Sequence, residues 1–197
     1  IIGVVAAMTI PTLISKYHEK QTYTRLKETY SIIAQALRSV EEEYGTPESW
    51  NISQQPYQEE DSLKIAKILL TSLKVAQDCG VELNSSCIYN GSYKYLNGSQ
   101  AGKYGGNGTY KIVLLNGTSI SFGHWNSSEL IDFFIDINGT APPNQIGRDL
   151  FTFGYFTNKG LYPLGAPGTT EYDCDKTKLG WGCTYYLLKN GNMDYLK

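Results

Sequence analysis

The chain has 197 residues and a formal net charge of −2, enough length for one domain with a real core and too little positive charge for a nucleic-acid-binding face. Only 18% of its residues are charged, while 16 Tyr and 20 Gly accompany abundant Asn, Ser and Thr, a polar but weakly charged composition found in many secreted β-rich proteins. Its four cysteines form no C-x-x-C pair and no zinc-ribbon spacing, which argues against metal or redox roles for them. Of the three pairings they allow, Cys79–Cys87 and Cys174–Cys183 are preferred, because each closes a short stretch of turn residues. Disulfides place the chain in an oxidising compartment.

Residues 1–14 (IIGVVAAMTIPTLI) carry no charge, and only Thr9 and Thr12 are polar. As a helix this segment rises about 21 Å, too little to cross a ~30 Å hydrocarbon core alone. From Ser15 onward charge arrives at Lys16, His18, Glu19, Lys20, Arg25, Lys27 and Glu28. An apolar stripe continues through Leu26, Tyr30, Ile33, Leu37, Val40 and Tyr44, at spacings that predict one face of an amphipathic helix. Gly45-Thr46-Pro47 stops it. One helix over residues 1–44 is therefore apolar all round at its start and one-sided afterwards. A globular head over 45–197 can bury the second part; the first needs lipid or other copies of itself.

The N-terminal segment, with Gly3, Ala7, Pro11 and Leu13-Ile14, resembles the N-terminal helix of type IV pilins and type II secretion pseudopilins. In that family a processed leader precedes a Phe-Thr-Leu-Ile-Glu-like start. This sequence lacks leader, cleavage site and that glutamate, so it is expected to begin about a dozen residues into the mature protein. The resemblance covers about 17 residues and implies a type IV pilin-like α+β fold, with a long helix packed on an antiparallel sheet and a C-terminal disulfide region. It also implies assembly. Ile1, Ile2, Gly3, Val4, Val5, Ala6, Ala7, Met8, Ile10, Pro11, Leu13 and Ile14 would sit in the bacterial inner membrane and then in the core of a helical filament. The partners would be identical subunits and the pilus or secretion assembly machinery. The final location would be the cell surface as a pilus serving adhesion, twitching motility or DNA uptake, or the periplasm as a secretion pseudopilus. A membrane-anchored binding protein that never polymerises is the remaining alternative. Pro11 removes a helical hydrogen bond and Gly3 is a weak helix former, so the stretch between them can bend or melt at low cost; the resemblance implies that it loosens on assembly, the alternative being a simple kink. Charge at Val5 or Ala6 is expected to abolish filaments while leaving the head folded.

Farther along, residues 46–60 read as a polar loop and 60–78 as a second helix, capped by Asp61 or Ser62 and presenting Ile65, Ile68, Leu69, Val75 and Ala76. Residues 91–108 read as an exposed Gly/Asn/Tyr loop; Gly102, Gly105, Gly106 and Gly108 lack the Lys-Ser/Thr of a phosphate loop. Tyr110–Leu115 and Thr118–Gly123 flank Asn116-Gly117, a strong hairpin signal. Strands are also predicted at Leu130–Ile137, Leu150–Thr157 and Leu161-Tyr162, and residues 183–189 read as strand or short helix closed by Asn190-Gly191.

Between two of those strands, Asp136, Asn138, Thr140, Asn144 and Asp149 occupy a Gly/Pro loop. Oxygen ligands at alternate positions suit Ca²⁺, and the same residues suit a turn held by Asx side-chain hydrogen bonds. The calcium candidates are Asp136, Asn138, Asn144 and Asp149. Major pseudopilins also hold calcium in a C-terminal loop, but that loop cannot be aligned with this one. Eight Asn-x-Ser/Thr sequons occur, at Asn51, Asn84, Asn90, Asn97, Asn107, Asn116, Asn126 and Asn138, which are candidate glycosylation sites or Asn-Gly turn chemistry. His18 and His124 have no catalytic partner at a telling spacing, no hydrolase or metalloprotease motif occurs, and the chain is read as non-enzymatic.

Overall fold

The computed structural model describes residues 2–53, 55–125, 129–169 and 173–197, with the side chains of residues 2–9, 11 and 12 outside the description. Ile1, Asn126 and the side chains of Ile2, Gly3, Val4, Val5, Ala6, Ala7, Met8 and Pro11 therefore lie outside the described residues. Helix α1 (Ile2–Tyr44) is continuous through Pro11 and would extend about 65 Å. It ends where Gly45 turns left-handed (φ 75°) and its N–H bonds back to the Glu41 carbonyl, a left-handed C-cap.

Of the stripe expected on α1, Leu26, Ile33, Leu37 and Val40 are in the core together with Ala36 and Tyr30 is half-buried, whereas Tyr44, at the helix end beyond the sheet's cover, is exposed. The core residues pack against a six-stranded antiparallel meander in sequence order, β1 (Val75–Gly80), β2 (Tyr110–Leu114), β3 (Ser119–Gly123), β4 (Ile131–Asp136), β5 (Leu150–Phe156) and β6 (Gly160–Pro163). Tyr30 stacks on Phe153 with ring centroids 5.3 Å apart, which seats the helix against β5. The expected hairpin forms, with Gly117 at φ 81° and its N–H bonded to the Leu114 carbonyl. The class is α+β, an N-terminal helix on a six-stranded antiparallel sheet.

Three expectations are corrected. The second helix, α2, spans Glu59–Leu69 and not 60–78. Past Leu69 come Thr71 and Ser72, poor helix formers, and the chain turns with the N–H groups of Thr71, Ser72 and Leu73 bonded back to Ile68 and Leu69. Val75–Gly80 then pairs with β2, covering what would otherwise be an open sheet edge. Second, the residue capping α2 is Gln58. Asp61 and Ser62 lie inside the first turn and are buried: Asp61 accepts from the Ser53 N–H and hydroxyl, and the Ser62 hydroxyl donates to the Gly108 carbonyl. Third, the Gly/Asn/Tyr-rich segment 91–108 is not simply an exposed loop. Tyr93, Leu96 and Tyr104 are buried, and Ile88, Tyr93 and Tyr104 join Phe134, Ile146 and Leu150 in a second apolar cluster on the far face of the sheet. The sheet is thus covered on both sides, which is why every residue of β4 and β5 is buried.

The C-terminal segment resolves as helix α3 (Cys183–Asn190), capped by left-handed Gly191. Both preferred disulfides form, Cys79–Cys87 and Cys174–Cys183. Cys183 is wholly buried at the start of α3, so its bridge ties the preceding loop to the core. Replacing Cys174 and Cys183 by Ser is expected to lower stability by about 2–4 kcal/mol in urea unfolding, the range for a short closed loop. A change below about 0.5 kcal/mol would show the loop contributes nothing to the head.

Candidate functional site

Two regions carry chemistry or surface that the core does not use. The first is the free half of α1. Ile10 is 53% exposed, Leu13 70%, Ile14 50% and Tyr17 64%, although all four are large apolar side chains. One helix therefore changes partner along its length: from Leu26 onward the sheet covers its apolar side, Glu19, Thr22, Tyr23 and Arg25 before it are half-buried, and up to His18 the described side chains stand in the open. Lys16, His18 and Lys20, all exposed, begin the charged zone between the two. No helix among the described residues is long and apolar enough to cross a membrane.

The second is the loop between β4 and β5. Antiparallel pairing of Asp136 with Leu150, and a 3.0 Å bond from the Ile137 N–H to the Asp149 carbonyl, bring the two ends of the loop together. Both carboxylates are buried. Asp149 accepts from the Asn144 N–H at 2.7 Å and the Gln145 N–H at 2.6 Å. Asp136 accepts from the Tyr93 hydroxyl at 2.7 Å and the Asn138 N–H at 3.3 Å. Burial, then the neighbouring Asp149 charge, pushes the Asp136 carboxyl up to about 8. Burial also raises Asp149, although the backbone N–H groups around it pull the other way.

Two amide groups complete the loop. The Asn138 side-chain N–H donates to the Pro142 carbonyl at 3.1 Å, and its Oδ1 is enclosed without a hydrogen-bond partner. Asn144, only 8% exposed, likewise encloses an Oδ1 that receives no hydrogen bond. All four expected ligand residues thus belong to one compact loop, and their donors are oxygens. Among the described residues no group of three or more His, Cys, Asp and Glu could hold a metal. A cleft of ≈ 650 Å³ between the loop, α1 and the C-terminal residues reaches this site, with Arg25, Asn138, Pro143, Arg148 and Asp149 in its wall. Tyr93 and Arg25, whose guanidinium donates to the Ile137 carbonyl at 3.0 Å, also belong to the site. Neither is near the loop in sequence, and no local pattern signals them.

The sequons separate into two kinds. Asn51, Asn84, Asn90, Asn97 and Asn107 are exposed, and Asn84, Asn90 and Asn107 line one surface hollow with Lys103. Asn116 and Asn138 instead act in turns. The Asn116 Oδ1 accepts from the Thr118 N–H and its Nδ2 is enclosed, while the Asn138 Nδ2 is committed to Pro142. Of the two histidines, His18 is exposed and His124 is buried with its Nδ1 3.3 Å from the Leu130 carbonyl.

No curated protein and no solved structure matches the chain. Residues 12–195 match the model of a family of unknown function, DUF6613, so all but the first apolar turns and the last residues fall within it. This chain belongs to the DUF6613 family.

Proposed function

We propose that the chain is a structural subunit of a type IV pilus, polymerising through the apolar start of α1 and presenting the disulfide-stapled head outside. The observation that carries this reading is the exposure of Ile10, Leu13, Ile14 and Tyr17 on a helix that farther along buries Leu26, Ile33, Leu37 and Val40 against the head. A soluble single domain gains nothing from a projecting apolar helix, which invites association. Packing the same segment from many copies side by side removes that surface from water, and before assembly the inner membrane does the same. In this reading the contacts between neighbouring copies are heterologous and not self-complementary, the kind that extends into an open polymer where the rotation does not close. The resemblance of residues 1–17 to pilin helices agrees with this physical argument and adds the inner-membrane origin and the assembly machinery as partners.

The test is negative-stain electron microscopy of material sheared from cells producing the full-length protein. Long filaments containing this chain are the expected result. Retention in the membrane fraction without filaments would transfer the reading to a secretion pseudopilin. A form lacking residues 1–14 distinguishes the third possibility: a membrane-anchored binder keeps a ligand, whereas a pilin becomes only a soluble monomer.

A further inference from the structure

We propose that Asp136 and Asp149, together with the side-chain oxygens of Asn138 and Asn144, bind one calcium ion inside the β4–β5 loop. The inference does not depend on the filament reading. It starts from an imbalance in the loop: two buried carboxylates stand on the residues where the β4–β5 pairing closes the loop, and two enclosed amide oxygens receive no hydrogen bond. An enclosed acceptor left unmade is expensive, and two of them in one short loop beside paired acids mark a missing positive partner.

The groups already bonded do not close the site. Each Asp149 oxygen accepts one backbone N–H, and each Asp136 oxygen accepts one donor, Tyr93 or Asn138. A carboxylate oxygen has a second lone pair, so both Asp136 oxygens retain one for a cation, while the Asp149 carboxylate is also approached by the N–H groups of its own residue and of Leu150. Asn144 sits against Asp149 through its own N–H, and Asn138 against Asp136 through its own, so each orphaned amide is on the residue that clasps a carboxylate. Four side chains of hard oxygen type, some bidentate, supply most of the six to eight ligands calcium takes, and the cleft admits water for the rest. The absence of nitrogen and sulfur donors from the set disfavours zinc, and a buried, uneven oxygen cage disfavours the strict octahedron of magnesium. Two positive groups oppose the ion. Arg148 stands in the cleft wall and Arg25 donates to the Ile137 carbonyl, so the site is expected to bind in the weak range of extracellular calcium modules, roughly 10⁻⁴–10⁻³ M.

Calcium chloride titrated into the full chain in detergent, followed by isothermal calorimetry and by thermal unfolding against EDTA, tests the proposal. The expected result is a saturable heat and a melting point about 5 °C or more above the EDTA value at saturating calcium, with a much smaller shift in magnesium. The decisive variant is Asn144→Gly. Asn144 already has φ 51°, which glycine adopts without strain, so the substitution removes the orphaned oxygen and spares the backbone N–H that binds Asp149. It is expected to fold and to weaken calcium binding roughly tenfold or more. Asn138→Ala, at the second orphaned oxygen, is expected to weaken it as well. No heat and no shift in the wild type would overturn the proposal, and so would an undiminished shift in Asn144→Gly, which would place the ion elsewhere. An equal shift in magnesium would overturn the assignment to calcium.

Discussion

Glutamate at Leu13 or Ile14 is expected to abolish filaments and to leave the head as stable as before. Both side chains are half exposed or more, so the isolated subunit loses almost no buried apolar area when either changes. Helix propensity is also preserved, because Glu is among the better helix formers. In a filament core the same position is dry and surrounded by copies of itself. A carboxylate there is taken out of water with at most one lysine, Lys16, within a turn of it on its own helix, and the desolvation penalty recurs in every subunit along the polymer. Since each 1.4 kcal/mol is about tenfold in an equilibrium, such a defect leaves filaments undetectable. The readout is filament yield by electron microscopy beside the thermal melting of the purified subunit, expected within about 2 °C of wild type. Leu26→Glu is the contrasting control. Leu26 is fully buried against the sheet, and charge there should unfold the head. Normal filaments from Leu13→Glu would sink the assembly reading, whereas a large fall in melting point would show that this face already packs on the head.

Local pattern made much of the fold legible. The α1 stripe, the Asn116-Gly117 hairpin and the next two strands could be read because each is decided within a few residues by periodicity or turn chemistry. What the sequence concealed depends on distant partners. Val75–Gly80 has no clean alternation, and it becomes a strand because β2 offers an edge 30-odd residues later. In β4, Asp132 and Asp136 alternate with Ile131, Phe133 and Ile135, and would normally mark a solvent face. They are buried instead, because the aromatic segment around Tyr93 and Tyr104 folds over that face. Asp132 receives the Trp125 N–H at 2.8 Å and Asp136 the Tyr93 hydroxyl, so the polar side of the strand is also an interior. The candidate ion site divides the same way. Its four oxygen ligands fall within one contiguous loop and could be named from spacing, while Tyr93 is 43 residues away from Asp136 and follows no rule of proximity.

Asp149→Ala is expected to destabilise the head by about 2–5 kcal/mol, even in EDTA. The carboxylate is the acceptor for the N–H groups of Asn144 and Gln145, and its removal strands both donors where water reaches poorly, at about 1–3 kcal/mol each. Those two residues connect the loop to much of its surroundings. The Lys94 N–H binds the Asn144 carbonyl, and the Gln145 side chain donates to the carbonyls of Tyr95 and Leu96. The Ile146 N–H returns to the Lys94 carbonyl, and the Tyr195 hydroxyl donates to Gly147 at 2.7 Å. Loosening Asn144 and Gln145 therefore frees the 93–97 segment from the sheet's far face, and with it the aromatic cluster that segment completes. Asp149→Asn should fall between, since an amide keeps one acceptor oxygen and turns a donor toward the other N–H. Urea unfolding of the two variants and the wild type in EDTA measures the series without any contribution from bound ion. A loss below about 1 kcal/mol for Asp149→Ala would mean that the loop is held by its backbone bonds alone, and that the buried carboxylate is retained for something other than stability.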